Sequence, residues 1–190
     1  MTKRTPLFKY GLGTVLALAS CCGLSHAAPL NSQQVFFVGN NWDGTVTVIR
    51  PSGYFAQIGV INMVPDRKER LKEIYLNPIK LVAYSYIRNT AGEGNDQLVD
   101  DMYSTPDGKS VVASRPSYAD VVSIDIVSGK INWRTSVEGF RADHMAVSPD
   151  GLHVAVSASS GNVVQVLDIQ TGKELGRFDT GDKPHENIYF

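Results

Sequence analysis

Two histidines and several carboxylates stand at corresponding places in the sequence, each just before a short run of β-branched residues. Asp101 and His144 are 43 residues apart, and His185 follows His144 at nearly the same distance, two residues out of register. Imidazoles and carboxylates that converge on one site bind divalent metal ions or act as general acid and base. The alternative is that each of these side chains only hydrogen-bonds backbone amides of its loop. The candidate site residues beside the two histidines are Asp96, Asp100, Asp101, Arg141, Glu186 and Asn187.

The 43-residue spacing belongs to a repeat of a longer segment. The stretch STPDGK at 104–109 recurs as VSPDGL at 147–152, and IDIVSGK at 124–130 recurs as LDIQTGK at 167–173. A less complete copy occupies residues 35–61. Two separate stretches with one period indicate a repeated structural unit.

Each copy consists of short β-branched runs separated by turns. In Pro106-Asp107-Gly108, proline fixes φ, the aspartate accepts hydrogen bonds from local amides, and glycine takes the positive φ that closes the turn. We therefore predict four antiparallel strands in each copy, called here the inner, second, third and outer strands. In the last copy they cover residues 145–148, 153–157, 163–168 and 174–180. A four-stranded unit with this period predicts an all-β fold, a β-propeller built of such blades.

The last copy resembles the YVTN-type repeat of exported bacterial β-propellers, through SPDG at 148–151, NVVQVLD at 162–168 and TGK at 171–173. The resemblance implies fold and export but no single activity, because such propellers host unrelated functions. DIVSGKINW at 125–133 is also similar to the tryptophan-docking motif of quinoprotein dehydrogenases and outer-membrane assembly scaffolds, in which the tryptophan packs between neighbouring blades. Gly176 stands where the next tryptophan would be, so this second pattern does not repeat.

The repeat predicts the blade boundaries. We predict blade one at residues 34–61, blade two at 99–139, blade three at 141–181 and the start of a fourth blade at 182–190. Propellers close with about four to eight blades. We therefore predict an incomplete propeller whose remaining blades follow on the C-terminal side, with head-to-tail assembly of several copies as the alternative.

Residues 64–98 interrupt the repeat and have helical periodicity. Asp66 and Glu69 have the spacing of a capping box, and Asn77-Pro78 begins a second helix. We predict a helical hairpin that packs on the propeller, with a lid over a ligand site as the alternative. The predicted apolar face of the second helix consists of Ile79, Val82, Ala83, Tyr86 and Ile87.

The blade topology places the candidate residues at one end of the propeller, called here the top face. This face carries the entries to the inner strands, the loops between second and third strands, and the helical insertion. Trp42 and Tyr118 lie in two of these loops. Their rings would stack on a sugar or aromatic ligand, anchor a protein partner, or pack beside the inserted helices.

Residues 1–27 have the composition of a secretory signal peptide. Lys3, Arg4 and Lys9 precede an apolar stretch at 12–24, and Ser25-His26-Ala27 has the small residues that a signal peptidase recognises. The apolar stretch is too short for a membrane-spanning helix. We expect cleavage after Ala27 and a periplasmic or secreted protein.

Cleavage after Ala27 removes both cysteines, Cys21 and Cys22, and with them any disulfide or thiolate site. The alternative is a lipobox-like processing in which Cys21 becomes a lipid-anchored N-terminus. The chain after residue 27 has 15 basic and 19 acidic residues, a composition that does not favour nucleic-acid binding.

These features favour a binding module that presents a small-molecule or protein site on the top face. A divalent metal ion is the possible cofactor, with His144, His185 and Asp101 as candidate ligands. The alternative is a periplasmic enzyme, either a lyase or metal-assisted hydrolase that uses the histidines or a quinoprotein dehydrogenase.

Overall fold

The computed structural model describes residues 33–190, which form three antiparallel sheets and two helices. The predicted signal peptide and Cys21 lie outside these residues. Neighbouring strands of each sheet follow one another in sequence, so each sheet is a simple meander. Blade one contains three strands instead of the predicted four, β1 (Phe36–Asn40), β2 (Thr45–Ile49) and β3 (Gln57–Asn62). Blade two contains β4 (Met102–Ser104), β5 (Ser110–Arg115), β6 (Asp120–Asp125) and β7 (Ile131–Ser136), and blade three contains β8 (Ala142–Val147), β9 (His153–Ala158), β10 (Val163–Asp168) and β11 (Glu174–Asp179).

The predicted turns join the inner and second strands of blades two and three. Gly108 and Gly151 have φ of 67° and 72°, a region that glycine enters without steric cost. The Asp107 carboxylate accepts hydrogen bonds from the Thr105 hydroxyl and the Lys109 amide, and Asp150 repeats this pattern 43 residues later. The local sequence therefore specifies the same turn between the first two strands of blades two and three.

Blade two is covered on both faces. Val111 and Val122 belong to the core shared with blade one, whereas their chain neighbours Val112 and Val121 belong to the core shared with blade three. Successive strand residues point to opposite faces, so each strand contributes to both interfaces. The sheets are consequently stacked, with no strand exchanged between them.

Trp133 connects blades two and three, as the tryptophan-docking resemblance implies. Its indole N–H donates a hydrogen bond to the Ile169 carbonyl oxygen at 3.2 Å. A Cβ at Gly172 would lie only 2.3 Å from the indole ring, so this close approach requires glycine. The contact combines burial of a large aromatic side chain with a satisfied polar group.

The predicted helical hairpin is present as α1 (Arg67–Tyr75) and α2 (Pro78–Thr90). The Asn77 side chain caps α2 by accepting hydrogen bonds from the Ile79 and Lys80 amides, both at 3.1 Å. The capping box predicted for Asp66 is wrong, because its side chain makes no cap hydrogen bond and pairs with Arg115 instead. None of the helices within residues 33–190 has the length and apolar character needed to cross a bilayer.

The face of α2 that is buried differs from the predicted one. Tyr84 and Ile87 are buried, and Tyr84 packs in the same core as Ile74 of α1 and Tyr118 of blade two. Ile79, Val82 and Tyr86 are each about two-thirds exposed, at 68%, 70% and 68%. The Tyr84 hydroxyl lies 2.5 Å from the buried Asp96 carboxylate. A prediction from the spacing of apolar residues takes no account of such a polar contact.

A buried ion-pair network fixes the hairpin on blade two. Arg115 is fully buried, and its guanidinium binds Asp120 at 2.7 Å, Asp66 at 2.6 Å and the Met63 carbonyl oxygen at 3.1 Å. Arg70 of α1 lies 3.2 Å from Asp120. Burial alone would lower the pKa of Arg115, but the two carboxylates outweigh it and raise that pKa. The network holds α1 against the loop that follows β5.

We predict that Asp120→Ala destabilises the fold by about 3–5 kcal/mol, the usual cost of breaking a buried ion pair from one side. The substitution leaves Arg115 and Arg70 buried with one carboxylate fewer. Asp179→Ala is the matched control, because Asp179 is exposed at the end of β11. Urea unfolding of the full chain measures both, and similar losses for the two variants would contradict the assignment.

Candidate functional site

A β-bulge in the inner strand of blade three brings two consecutive polar residues to the top face. The register between β8 and β9 shifts between Ala142 and Met145, and Asp143 and His144 lie in the shifted segment. In a regular strand these neighbours would point to opposite faces, whereas a bulge redirects side chains and is frequent beside functional sites. Both side chains therefore reach one cluster.

His144 is surrounded by carboxylates from three successive copies of the repeat. Its Nδ1 lies 3.3 Å from Asp101 Oδ2 and 3.7 Å from Glu186 Oε1, and its Nε2 lies 3.8 Å from Asp143 Oδ1. Asp101 is held in place because the same Oδ2 accepts a hydrogen bond of 2.7 Å from the Met145 amide. Blade two thus supplies the residue that orients the imidazole of blade three.

The second histidine comes from the segment after blade three. The rings of His144 and His185 are 4.1 Å apart at an angle of 68°. Asn187 anchors this segment by donating hydrogen bonds to the His144 carbonyl oxygen and the Ser157 hydroxyl. Since Asn187 lies 43 residues after His144, His185 is an addition to the repeat and not the counterpart of His144.

The carboxylates favour a protonated His144. Partial burial alone would lower the pKa of His144, but Asp100, Asp101, Glu186 and Asp143 outweigh it and raise that pKa. Burial raises the pKa of Asp100, with the neighbouring carboxylates acting in the same direction and His144 against it. The imidazole and the carboxylates are therefore electrostatically coupled.

Two groups of side chains have the spacing needed to hold a metal ion. Asp143, His144 and His185 form one, and Asp100, Asp101 and His144 form the other, with donor atoms within 4.8 Å of one another in each. The first group fits the geometry of His144 better. Its Nδ1 faces Asp101, which leaves Nε2, on the side of Asp143, for an ion.

A cavity of about 410 Å³ adjoins the cluster and lies between α2 and the loops of blade three. Tyr86 and Ile87 of α2 form one wall. The opposite wall carries Phe140, Arg141, Lys183 and His185. The Arg141 Nε lies 3.4 Å from Asp143 Oδ2. The inserted helix thus borders the space next to the histidines.

The structure brings together most of the predicted site residues. Asp100, Asp101, Arg141, His144, His185, Glu186 and Asn187 converge around the bulge or line cavities beside it. A second, open cavity of about 580 Å³ runs along the inner strands and includes Asp101, Tyr103, Glu186 and Asn187. The site therefore spans the entries of blades two and three.

Three other predicted residues lie elsewhere. Asp96 is buried and binds Tyr84, Arg67 and Arg88, so its carboxylate stabilises the hairpin. Tyr118 is only 3% exposed and packs beneath the helices, where burial raises its pKa to about 12. Trp42 is half exposed and lines a separate shallow pocket with Asn40, Asn41 and Asp43.

Asp143 and Lys183 belong to the site but are not among the ligand residues predicted from the sequence, although Asp143 directly precedes His144 at the predicted mouth. The position of Asp143, 43 residues after Asp100, was the available signal. The bulge that turns Asp143 toward the histidines has no local sequence marker here. Lys183 has positive φ, at 57°, in the loop that follows blade three, and nothing in its sequence context indicated a wall of the cavity.

Comparison with known proteins shows the fold. No protein-family model matches the chain, and no curated protein matches it in sequence. Dihydro-heme d1 dehydrogenase NirN in complex with DHE matches with a TM-score of 0.55 and 14% identity, over 86% of this chain and 30% of that one. AztD from Citrobacter koseri matches with a TM-score of 0.51 and 12% identity, over 83% and 35%. The periplasmic gluconolactonase PpgL from Pseudomonas aeruginosa matches with a TM-score of 0.50 and 19% identity, over 79% and 38%.

These neighbours have β-propeller folds, and the chain spans about a third of the length of each. The prediction of an all-β, partial β-propeller with an α-helical hairpin is confirmed. At these identities the likeness concerns the fold alone.

We predict that Asp101→Asn lowers the pKa of His144, because it removes one of the negative charges that favour the imidazolium. Proton NMR titration of the full chain measures this pKa. Asp179→Asn is the control, since Asp179 lies at the exposed end of β11. An unchanged or higher pKa in Asp101→Asn would show that Asp101 does not act on His144.

Proposed function

We propose that the protein is an exported β-propeller module that binds a ligand on its top face, with a divalent transition-metal ion at Asp143, His144 and His185 as part of the site. The observation that carries this proposal is the convergence of two imidazoles, 4.1 Å apart, with a buried carboxylate at the β8 bulge. Two histidines and one carboxylate form a donor set suited to zinc and to other first-row divalent ions.

Asp101 would act as a positioning residue in this site. Metal-binding histidines usually donate their other ring N–H to a carboxylate, which fixes the tautomer and the ring orientation. Asp101 stands 3.3 Å from His144 Nδ1 and is itself held by the Met145 amide. The imidazole is therefore orientated before any ion binds.

The adjoining cavity suggests the chemical class of the molecule that would bind beside the metal ion. Its volume of about 410 Å³ lies within the usual range of small-molecule sites. Arg141 and Lys183 supply positive charge, while Tyr86 and Phe140 supply aromatic surface. A small anionic molecule with an apolar part would complement these walls, and α2 would cover it.

We predict that full-length protein freed of metal by a chelator binds Zn²⁺. His144→Ala or His185→Ala should weaken binding by more than the 10–100-fold typical for loss of a residue that only orients a metal ligand. Asp101→Asn should fall within that 10–100-fold range. Isothermal titration calorimetry measures each affinity. His153→Ala is the matched control, since His153 lies at the start of β9, away from the bulge.

The pH dependence has a definite sign. Because the carboxylates raise the pKa of His144, protons compete with the metal from a higher pH than at an ordinary imidazole. Zinc affinity should fall as the pH is lowered through that pKa. Equal zinc affinity in wild type and the His144→Ala/His185→Ala double variant would refute the metal site.

Metal-assisted hydrolysis is the second candidate function. Three protein ligands leave one position of a tetrahedral zinc ion open, as in catalytic zinc sites. Stoichiometric zinc with hydrolysis of p-nitrophenyl acetate that disappears in the double variant would favour the enzyme. Zinc binding without turnover would favour the binding module.

Export is the remaining part of the proposal and rests on the leader sequence. We predict that the mature protein begins at Ala28, lacks cysteine and is released in the periplasmic fraction. Intact mass spectrometry of the protein expressed with its leader in a bacterium tests this. Cys21→Ala should leave processing unchanged. A mature chain that begins at a lipid-modified Cys21 and sediments with membranes would establish the lipoprotein alternative.

A further inference from the structure

The outer part of the junction between blades one and two lacks the side chain that fills the equivalent junction between blades two and three. In the three sheets, the last two strands pair Val48 with Gly59, Ser123 with Trp133, and Val166 with Gly176. A register shift follows at the same point in each sheet. Gly59, Trp133 and Gly176 therefore occupy equivalent positions.

The surface that receives Trp133 in blade three has a counterpart in blade two. Trp133 packs against Gly172 and donates its indole N–H to the Ile169 carbonyl. The 43-residue repeat makes Gly129 and Ile126 the equivalent residues. A Cβ on Gly129 would have no heavy atom within 4 Å, and the Ile126 carbonyl accepts no hydrogen bond from other residues in the 33–190 range.

A groove of about 850 Å³ lies between Gly59 and Ile126. Its walls include Val48 and Gly59 of blade one and Gly108, Ile126 and Val127 of blade two. Val127, which is 95% exposed, stands at its edge, and the partly buried Phe37 and Val48 line it from blade one. An apolar groove of this kind, open to solvent, is a candidate interaction site.

We infer that this groove binds a tryptophan side chain of a partner polypeptide. The groove continues the interface between blades one and two, and the next interface of the same molecule shows which group fits it. That group is an indole, packed closely against a glycine with its N–H on a blade carbonyl. The volume exceeds that of one side chain and leaves room for the flanking residues of the partner. Tryptophan is also among the residue types enriched at the energetically dominant positions of protein interfaces.

The test uses N-acetyl-L-tryptophanamide as the probe and a variant that supplies the missing indole from within the chain. Gly59→Trp should fill the groove, since the nearest atoms to a Cβ at Gly59 belong to Val48 at 3.9 Å. We expect the probe to bind the full-length wild type and to lose about tenfold or more in affinity in Gly59→Trp. Gly176→Trp is the matched control, because it introduces the same side chain at the equivalent position of blade three. Saturation-transfer NMR or calorimetry measures binding, with N-acetyl-L-alaninamide as the negative ligand.

A second measurement guards against misfolding of the variant. Gly59→Trp should raise the melting temperature relative to Gly176→Trp, because only the former buries its indole. Val127→Asp changes a residue that is 95% exposed and should also weaken probe binding while leaving the fold intact. Equal probe binding by wild type, Gly59→Trp and Val127→Asp, or none by wild type, would overturn the inference. Unchanged zinc affinity in Gly59→Trp would show that the groove is separate from the histidine site.

Discussion

A four-stranded sheet with two apolar faces must be covered on both sides, and this requirement organises the molecule. In blade two, Val111 and Val112 are adjacent in sequence but belong to different cores, one shared with blade one and the other with blade three. Stacking the sheets face to face places their inner strands side by side. Asp101 of blade two thereby reaches the Met145 amide and His144 of blade three. The proposed metal site is thus assembled at the contact between blades that apolar burial enforces.

Polar interactions decide how the insertion sits on this framework. Arg115 and Asp120 are fully buried and bind groups on both sides of the start of α1, while Asp96 binds Tyr84 in α2. A buried ionised group without a partner would lower the free energy of unfolding by several kcal/mol. This cost selects the rotation of the hairpin that satisfies the carboxylates, even though Ile79 and Val82 remain exposed. The same rotation places Tyr86 beside the histidine cluster as part of the cavity wall.

The sequence predicted the parts of the structure that depend on local chemistry. The Asp107 and Asp150 turns and the Asn77 cap carry their hydrogen-bonding partners within a few residues, so their patterns were sufficient. The capping box at Asp66 failed because Arg115, 49 residues away, binds that carboxylate instead. Asp96 and Tyr118 have equivalent long-range partners in the hairpin core. The convergence of Asp101 with His144 was predictable from the repeat, whereas the bulge at Asp143 depends on the packing of one strand.

Comparison of the repeat copies locates both of the proposed sites. His185 lies outside the 43-residue register that Asn187 keeps, and it supplies the second imidazole of the cluster. Gly59 stands where Trp133 closes the next junction, and it leaves a groove where packing alone would favour a large side chain. Buried aromatic area of the kind that Trp133 supplies stabilises neighbouring blades, and this contribution is missing at the junction that has Gly59. The histidine cluster lies at the inner-strand entries of blades two and three, whereas the groove lies in the outer part of the junction between blades one and two. These different places in the blade stack support two separate binding sites on one rigid framework.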